Sequence, residues 1–180
     1  RHFCLSRGLG DVYKRQSLSL AESLGNGGAG WIYEMSFGNG GTSVDPTGII
    51  TYLTPNSTGT NASLYNQTHT KVVDDRSVNN LDPVRNKIET RHVSGTNYTD
   101  VLVTCLLDYS EPSGQDAYDT ATDGSSLYVF DELGLKAYSA DGTGRLLTHV
   151  IFHPVQKSLN RLIQIDYTVR VQSLTGFNEA

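Results

Sequence analysis

Cysteine, methionine, tryptophan and lysine are scarce in this 180-residue chain, with two Cys, one Met, one Trp and five Lys. With so few thiols no disulfide framework can be drawn. Cys105 stands alone in an apolar run, where it reads as a buried small hydrophobe rather than a nucleophile. No stretch approaches 18 consecutive apolar residues, which removes a membrane-spanning helix from the expectation. Lys and Arg number 14 against 19 Asp and Glu, a net charge of -5. A surface of that sign is repelled by phosphate backbones, so neither nucleic acid nor an anionic membrane is an expected partner. A G-x-S-x-G elbow is missing too, and no Ser-His-Asp or Cys-His grouping forms from sequence neighbours. No catalytic residue, cofactor or metal is therefore assigned, and the chain is not expected to be an enzyme.

What is abundant is Thr, Ser, Asn, Asp, Gly and Tyr, a palette of strands and turns. WIYEMSF, residues 31–37, reads as a strand ending in the turn Gly38-Asn39-Gly40-Gly41. A phosphate-cradling glycine run must open a helix, and here TSVDPTG with Pro46 follows instead. Further strands are expected over 48–53, 71–74, 87–93, 98–107, 127–138 and 146–152. Ser94-Gly95-Thr96-Asn97 makes a hairpin turn between two of them, and Tyr98–Leu107, the more apolar, belongs in a sheet centre. Gly134 inside LYVFDELGLKAY marks a bulge or a close backbone approach. The clearest alternation is C-terminal, where Ile163, Ile165, Tyr167, Val169 and Val171 should face a core and Gln164, Asp166, Thr168, Arg170 and Gln172 water. Short helical turns are expected at 62–67 and 115–121. The sum is an all-β, antiparallel β-sandwich of seven or eight strands with at most two short helices.

Several groupings that could carry chemistry have a plainer reading. His149 and His153 are four apart, but on a strand that separates them by about 13 Å, too far to share a metal. The acidic groups Asp74-Asp75, Asp108 with Glu111, Asp116-Asp119-Asp123 and Asp131-Glu132 read as solvated loop carboxylates, and the middle set misses the spacing of a calcium loop. Asn56, Asn61, Asn66 and Asn97 stand in N-x-S/T frames, which a chain so rich in Asn, Ser and Thr generates by chance. Tyr65, Tyr98, Tyr109, Tyr118 and Tyr128 are expected to pack at core edges rather than to stack on sugars.

Two resemblances add to this. SRGLGDVYKRQ, residues 6–16, resembles the in-frame translation of a transposase mosaic-end adapter used in short-read sequencing libraries. It implies that residues 1–16 are not native, that one β-sandwich domain covers 17–180 with its true N-terminus missing, and that the source was a shotgun-sequenced sample. Taking out Arg1, Arg7, Lys14, Arg15 and Asp11 leaves 10 basic and 18 acidic residues, a net charge of -8. Secondly, WIYEMSFGNGG, LYNQTHTKVV and the long segment from YVFDELGLKAY to VRVQ are similar in order to the tail-collar domain of tailed-phage fibres, over about residues 30–172. Gly38, Asn39, Gly40 and Gly41 match its glycine turn. Phe130, Asp131, Glu132, Leu133, Gly134 and Leu135 match its [DE]-[LI]-G-L strand, and Asp141-Gly142 the turn after it. The chain departs from that pattern in longer Asn-rich loops at 54–68 and 76–86, and no shaft follows Gln172. The resemblance implies a virion structural protein, assembled in the host bacterial cytoplasm, whose partners are other virion proteins and copies of itself. A tail or baseplate position comes first, with a head decoration protein or a glycan-binding sandwich as alternatives.

Overall fold

The computed structural model describes residues 30–56, 62–92, 94, 98–113, 128–139 and 144–172. The adapter-like segment, residues 115–121 with Asp116, Tyr118 and Asp119, and the positions Asn61, Asn97, Asp123, Asp141 and Gly142 lie outside them. So does most of the 94–97 turn.

Among the described residues the chain is all-β, with nine strands and no helix: β1 (Ile32–Gly38), β2 (Thr42–Val44), β3 (Ile50–Tyr52), β4 (Gln67–Val72), β5 (Lys87–His92), β6 (Tyr98–Leu107), β7 (Tyr128–Ala137), β8 (Val150–Lys157) and β9 (Ile163–Gln172). They form a four-stranded sheet ordered β4-β1-β7-β8, a three-stranded sheet ordered β5-β6-β9 and the β2-β3 hairpin, all antiparallel. Period-two patterning makes the two larger sheets a sandwich. Met35, Phe37, Leu133 and Leu135 of one and Val103, Cys105 and Leu107 of the other bury their alternate side chains in a shared core. The central place expected for Tyr98–Leu107 is the one β6 takes, between β5 and β9.

Three local expectations need correction. Residues 62–66 are irregular rather than a helical turn, because the N–H groups of Tyr65 and Asn66 and the carbonyl of Asn66 are bonded to distant partners. The hairpin strand β2 was hidden by Pro46. It forms because the Asp45 carboxylate accepts from Thr47 N, Thr47 Oγ1 and Ile49 N, while Gly48 takes a φ of +85°. The strand expected over 146–152 instead spans Val150–Lys157, an edge strand that tolerates Pro154; Leu146 makes only an isolated bridge to Lys136.

On β9 the expected alternation holds for Ile163, Ile165, Tyr167 and Val169, which pack against the core. Val171 does not follow, being 47% exposed where the sheets part. Cys105 is fully buried, and desolvation pushes its thiol up to about 12. Its alkylation should therefore occur only through unfolding. Peptide mapping after iodoacetamide, which separates Cys105 from Cys4, would contradict this burial if Cys105 labelled as fast in buffer as in urea.

Candidate functional site

The glycine turn and the FDELGL strand, some 90 residues apart in sequence, are neighbours in the sheet. Antiparallel pairing of β1 with β7 sets Met35 against Leu135, Ser36 against Gly134, Phe37 against Leu133 and Gly38 against Glu132. Phe37 and Phe130 meet in the core with ring centroids 5.2 Å apart.

The expectation of solvated carboxylates fails at Asp131-Glu132, both of which are buried. A strand should send neighbouring side chains to opposite faces, but the β7–β8 register shifts between Phe130 and Glu132. Such a bulge re-aims a side chain, and both carboxylates reach the turn that follows β1. Asp131 Oδ1 accepts from Gly41 N at 2.9 Å, and Oδ2 from Thr42 N at 2.8 Å and Thr42 Oγ1 at 2.5 Å. Glu132 Oε1 accepts from Gly40 N at 3.1 Å and Asn66 N at 2.8 Å. Its Oε2 accepts from Tyr65 N and from His149 Nε2, each at 2.9 Å.

His149, weighed in the sequence only as a metal ligand with His153 and set aside, is instead the partner of Glu132. Its Nδ1 accepts the Asn56 N–H at 2.7 Å, which leaves Nε2 as the protonated nitrogen facing Glu132. One carboxylate and one imidazole thus hold the glycine turn and both ends of the 54–66 loop. Asn39 and Asn66 reinforce the joint through their side chains at 2.6 Å and through Asn39 N to the Asn66 carbonyl at 3.1 Å.

The glycines are required by crowding. A side chain at Gly40 would lie 2.8 Å from both Tyr65 Cβ and Asn66 N. A Cβ on Gly134 would run into the Thr148 carbonyl and Leu146, so the close backbone approach read from the sequence is present beside the bulge. Chemically this centre is closed. Glu132 and His149 are walled off from solvent, and among the described residues the hydrogen bonds to the two carboxylates come from residues 40–42, Tyr65, Asn66 and His149.

Of the other singled-out residues, Tyr65, Asn56 and Asn66 join this centre through their backbone N–H groups, and those that follow lie apart, as does the Tyr65 hydroxyl. His153 bonds Tyr52 at 3.0 Å on the surface. Asp74 accepts from Trp31 Nε1 at 3.2 Å, and the partly buried Glu111 pairs with Lys71. Tyr98 lies under Arg170, Tyr109 is exposed, and Tyr65 bonds the Thr54 carbonyl at 2.6 Å. Where the sheets part, a cleft of about 860 Å³ has Ile32, Ile88, Val101 and Val169 in its walls and Trp31, stacked on Tyr138 at 4.8 Å, at its side.

Comparison with protein-family models, with curated proteins and with solved structures finds no match. No helix among the described residues is long and apolar enough to cross a membrane.

Proposed function

We propose that this chain is a non-enzymatic structural component of a tailed-phage virion, of the tail or baseplate in the first place, that acts by protein–protein assembly. The carrying observation is a rigid loop tipped with apolar side chains. Residues 74–86 are braced from within: Asn80 Nδ2 donates to the Asp74 and Asn86 carbonyls at 3.1 and 2.8 Å, and Asn86 Oδ1 accepts Leu106 N at 2.8 Å. On this frame Val78 and Leu81 are each 95% exposed and Val84 77%. Exposed apolar residues held on an ordered backbone suit burial against a complementary face at low entropic cost.

The same loop is one of the two departures from the collar pattern, and the other, 54–68, is pinned through Glu132 and His149. With its carboxylates committed to the fold, the FDELGL–GNGG unit serves as a joint for the loops rather than as a reaction centre.

A second reading, glycan binding for host attachment, is favoured by the cleft beside Trp31 and Tyr138. Solution behaviour separates the two. Assembly predicts that light scattering finds a defined oligomer, or a complex with a tail or capsid protein encoded beside this chain. The triple substitution V78S/L81S/V84S should abolish that complex while leaving unfolding within about 0.5 kcal/mol, as for exposed positions generally. A monomer retained on a glycan array, which antibodies fail to find on any particle, would overturn the assembly reading.

A further inference from the structure

A sheet edge offers unpaired N–H and C=O groups to any strand that can reach it, and proteins blunt such edges with short strands, charges, proline or bulges. Three of the four edges of the two larger sheets are blunted. β4 is six residues long with a register break, β5 is six residues long with Lys87, Glu89 and Arg91, and β8 carries Pro154 and a bulge. β9 carries two charges, Asp166 and Arg170, on ten residues and has none of the other devices. It runs ten residues without Pro or Gly and pairs with β6 without a register shift, and no described strand lies on its other side.

The side chains of β9 also complement themselves. In an antiparallel pair, residues directly opposite share a face, so a two-fold axis between two copies of β9 must pass through a residue. With the axis at Thr168, Asp166 of each copy faces Arg170 of the other, Gln164 faces Gln172, Tyr167 faces Val169 and Ile165 faces Val171. At Asp166 or Arg170 the axis would set like charges together. At Tyr167 or Val169 both charged residues would face neutral ones. Arg170 has a nitrogen to give, because Asp100 takes Nε and Nη2 at 2.7 and 2.9 Å. Asp166 is exposed and, among the described residues, bonds Gln164 of its own strand.

We propose that the chain forms a two-fold dimer through β9, paired antiparallel to β9 of a second copy about Thr168, so that the three-stranded sheet becomes six-stranded. The half-exposed Val171 is then covered by Ile165 of the second copy. For its biological use, though not for its geometry, the dimer rests on the assembly reading above.

Analytical ultracentrifugation of the full chain tests this through a charge exchange. Asp166→Arg sets Arg against Arg170 and Arg170→Asp sets Asp against Asp166, so either variant alone should dimerise at least about tenfold more weakly than the native chain. Their equimolar mixture restores both opposite-charge pairs and should recover the dimer as a heterodimer. Because Arg170→Asp also removes the partner of Asp100, amide exchange on the native chain gives a second measurement. Protection that rises with protein concentration should appear within 164–172.

A native chain monomeric at about 100 μM, where a specific dimer would be populated, overturns the proposal. So does a dimer indifferent to Asp166→Arg, a mixture of folded variants that stays monomeric, or exchange in β9 independent of concentration. A β9 dimer found on no virion would leave the edge pairing standing and remove the virion reading instead.

Discussion

Replacing Glu132 by glutamine is expected to destabilise the fold by about 2–4 kcal/mol, because it takes one acceptor oxygen from a buried centre that supplies four donors. The N–H groups of Gly40, Tyr65 and Asn66 and the His149 Nε2–H converge on the two carboxylate oxygens. An amide of the same shape offers one oxygen and turns an NH2 toward the other pair. Each buried donor left unmatched costs about 1–3 kcal/mol, more where charge was involved. For a domain stable by about 5–15 kcal/mol this is a large fraction. Urea unfolding with an unchanged m-value would measure it, and a loss under about 1 kcal/mol would show that the centre is not the joint described. Amide exchange should quicken first at Asn56, Tyr65 and Asn66, whose loop loses its anchor.

Gly38→Ala should cost a comparable amount by a different route. Its Cβ would be driven into the Asn66 carbonyl and the Glu132 carboxylate, neither of which can yield without breaking the bonds around it. Overpacking of this kind costs typically about 1–3 kcal/mol, and more when backbone must shift. Gly48→Ala is the contrasting control, since a Cβ there meets nothing and the cost is only that of a positive φ, about 1–2 kcal/mol. Because Gly38 and Glu132 act on one joint, G38A and E132Q together should destabilise by less than the sum of the two. Additivity within about 0.5 kcal/mol in thermal or urea unfolding would mean that the two positions are independent.

Much of the architecture was legible from residue order alone. Alternation placed β9 and its inward residues, the denser apolar run placed β6 in a sheet centre, and Gly134 announced a close approach of backbone. Each is a local signal: side-chain period is a property of the strand itself, and a glycine among apolar residues reports a missing Cβ wherever its neighbour comes from. Residues 38–41 and 130–135 were singled out as two separate positions of a resemblance, and that they lie side by side is known only from the pairing of β1 with β7.

What local pattern could not tell is where a carboxylate goes when a strand breaks its own period. Asp131 and Glu132 look like a solvated pair because alternation sends one of two neighbours outward, and only the β7–β8 register shift turns both toward the turn. The spacing of His149 from His153 pointed only to a metal pair that a strand rules out, and its pairing with Glu132 carried no local signal, since its partners are the backbone N–H of residue 56 and a carboxylate 17 positions away. The helical turn expected at 62–67 was lost for the same reason, its N–H groups being claimed by a distant acceptor stronger than a local carbonyl. Thus the sequence by itself determined the all-β class and the strongly patterned strands, β6 and β9 above all, because these depend on side-chain period and turn chemistry. Tertiary structure alone decided which polar groups are buried and which edge stays open, because hydrogen-bond partners and strand neighbours are chosen by chain segments far apart in sequence.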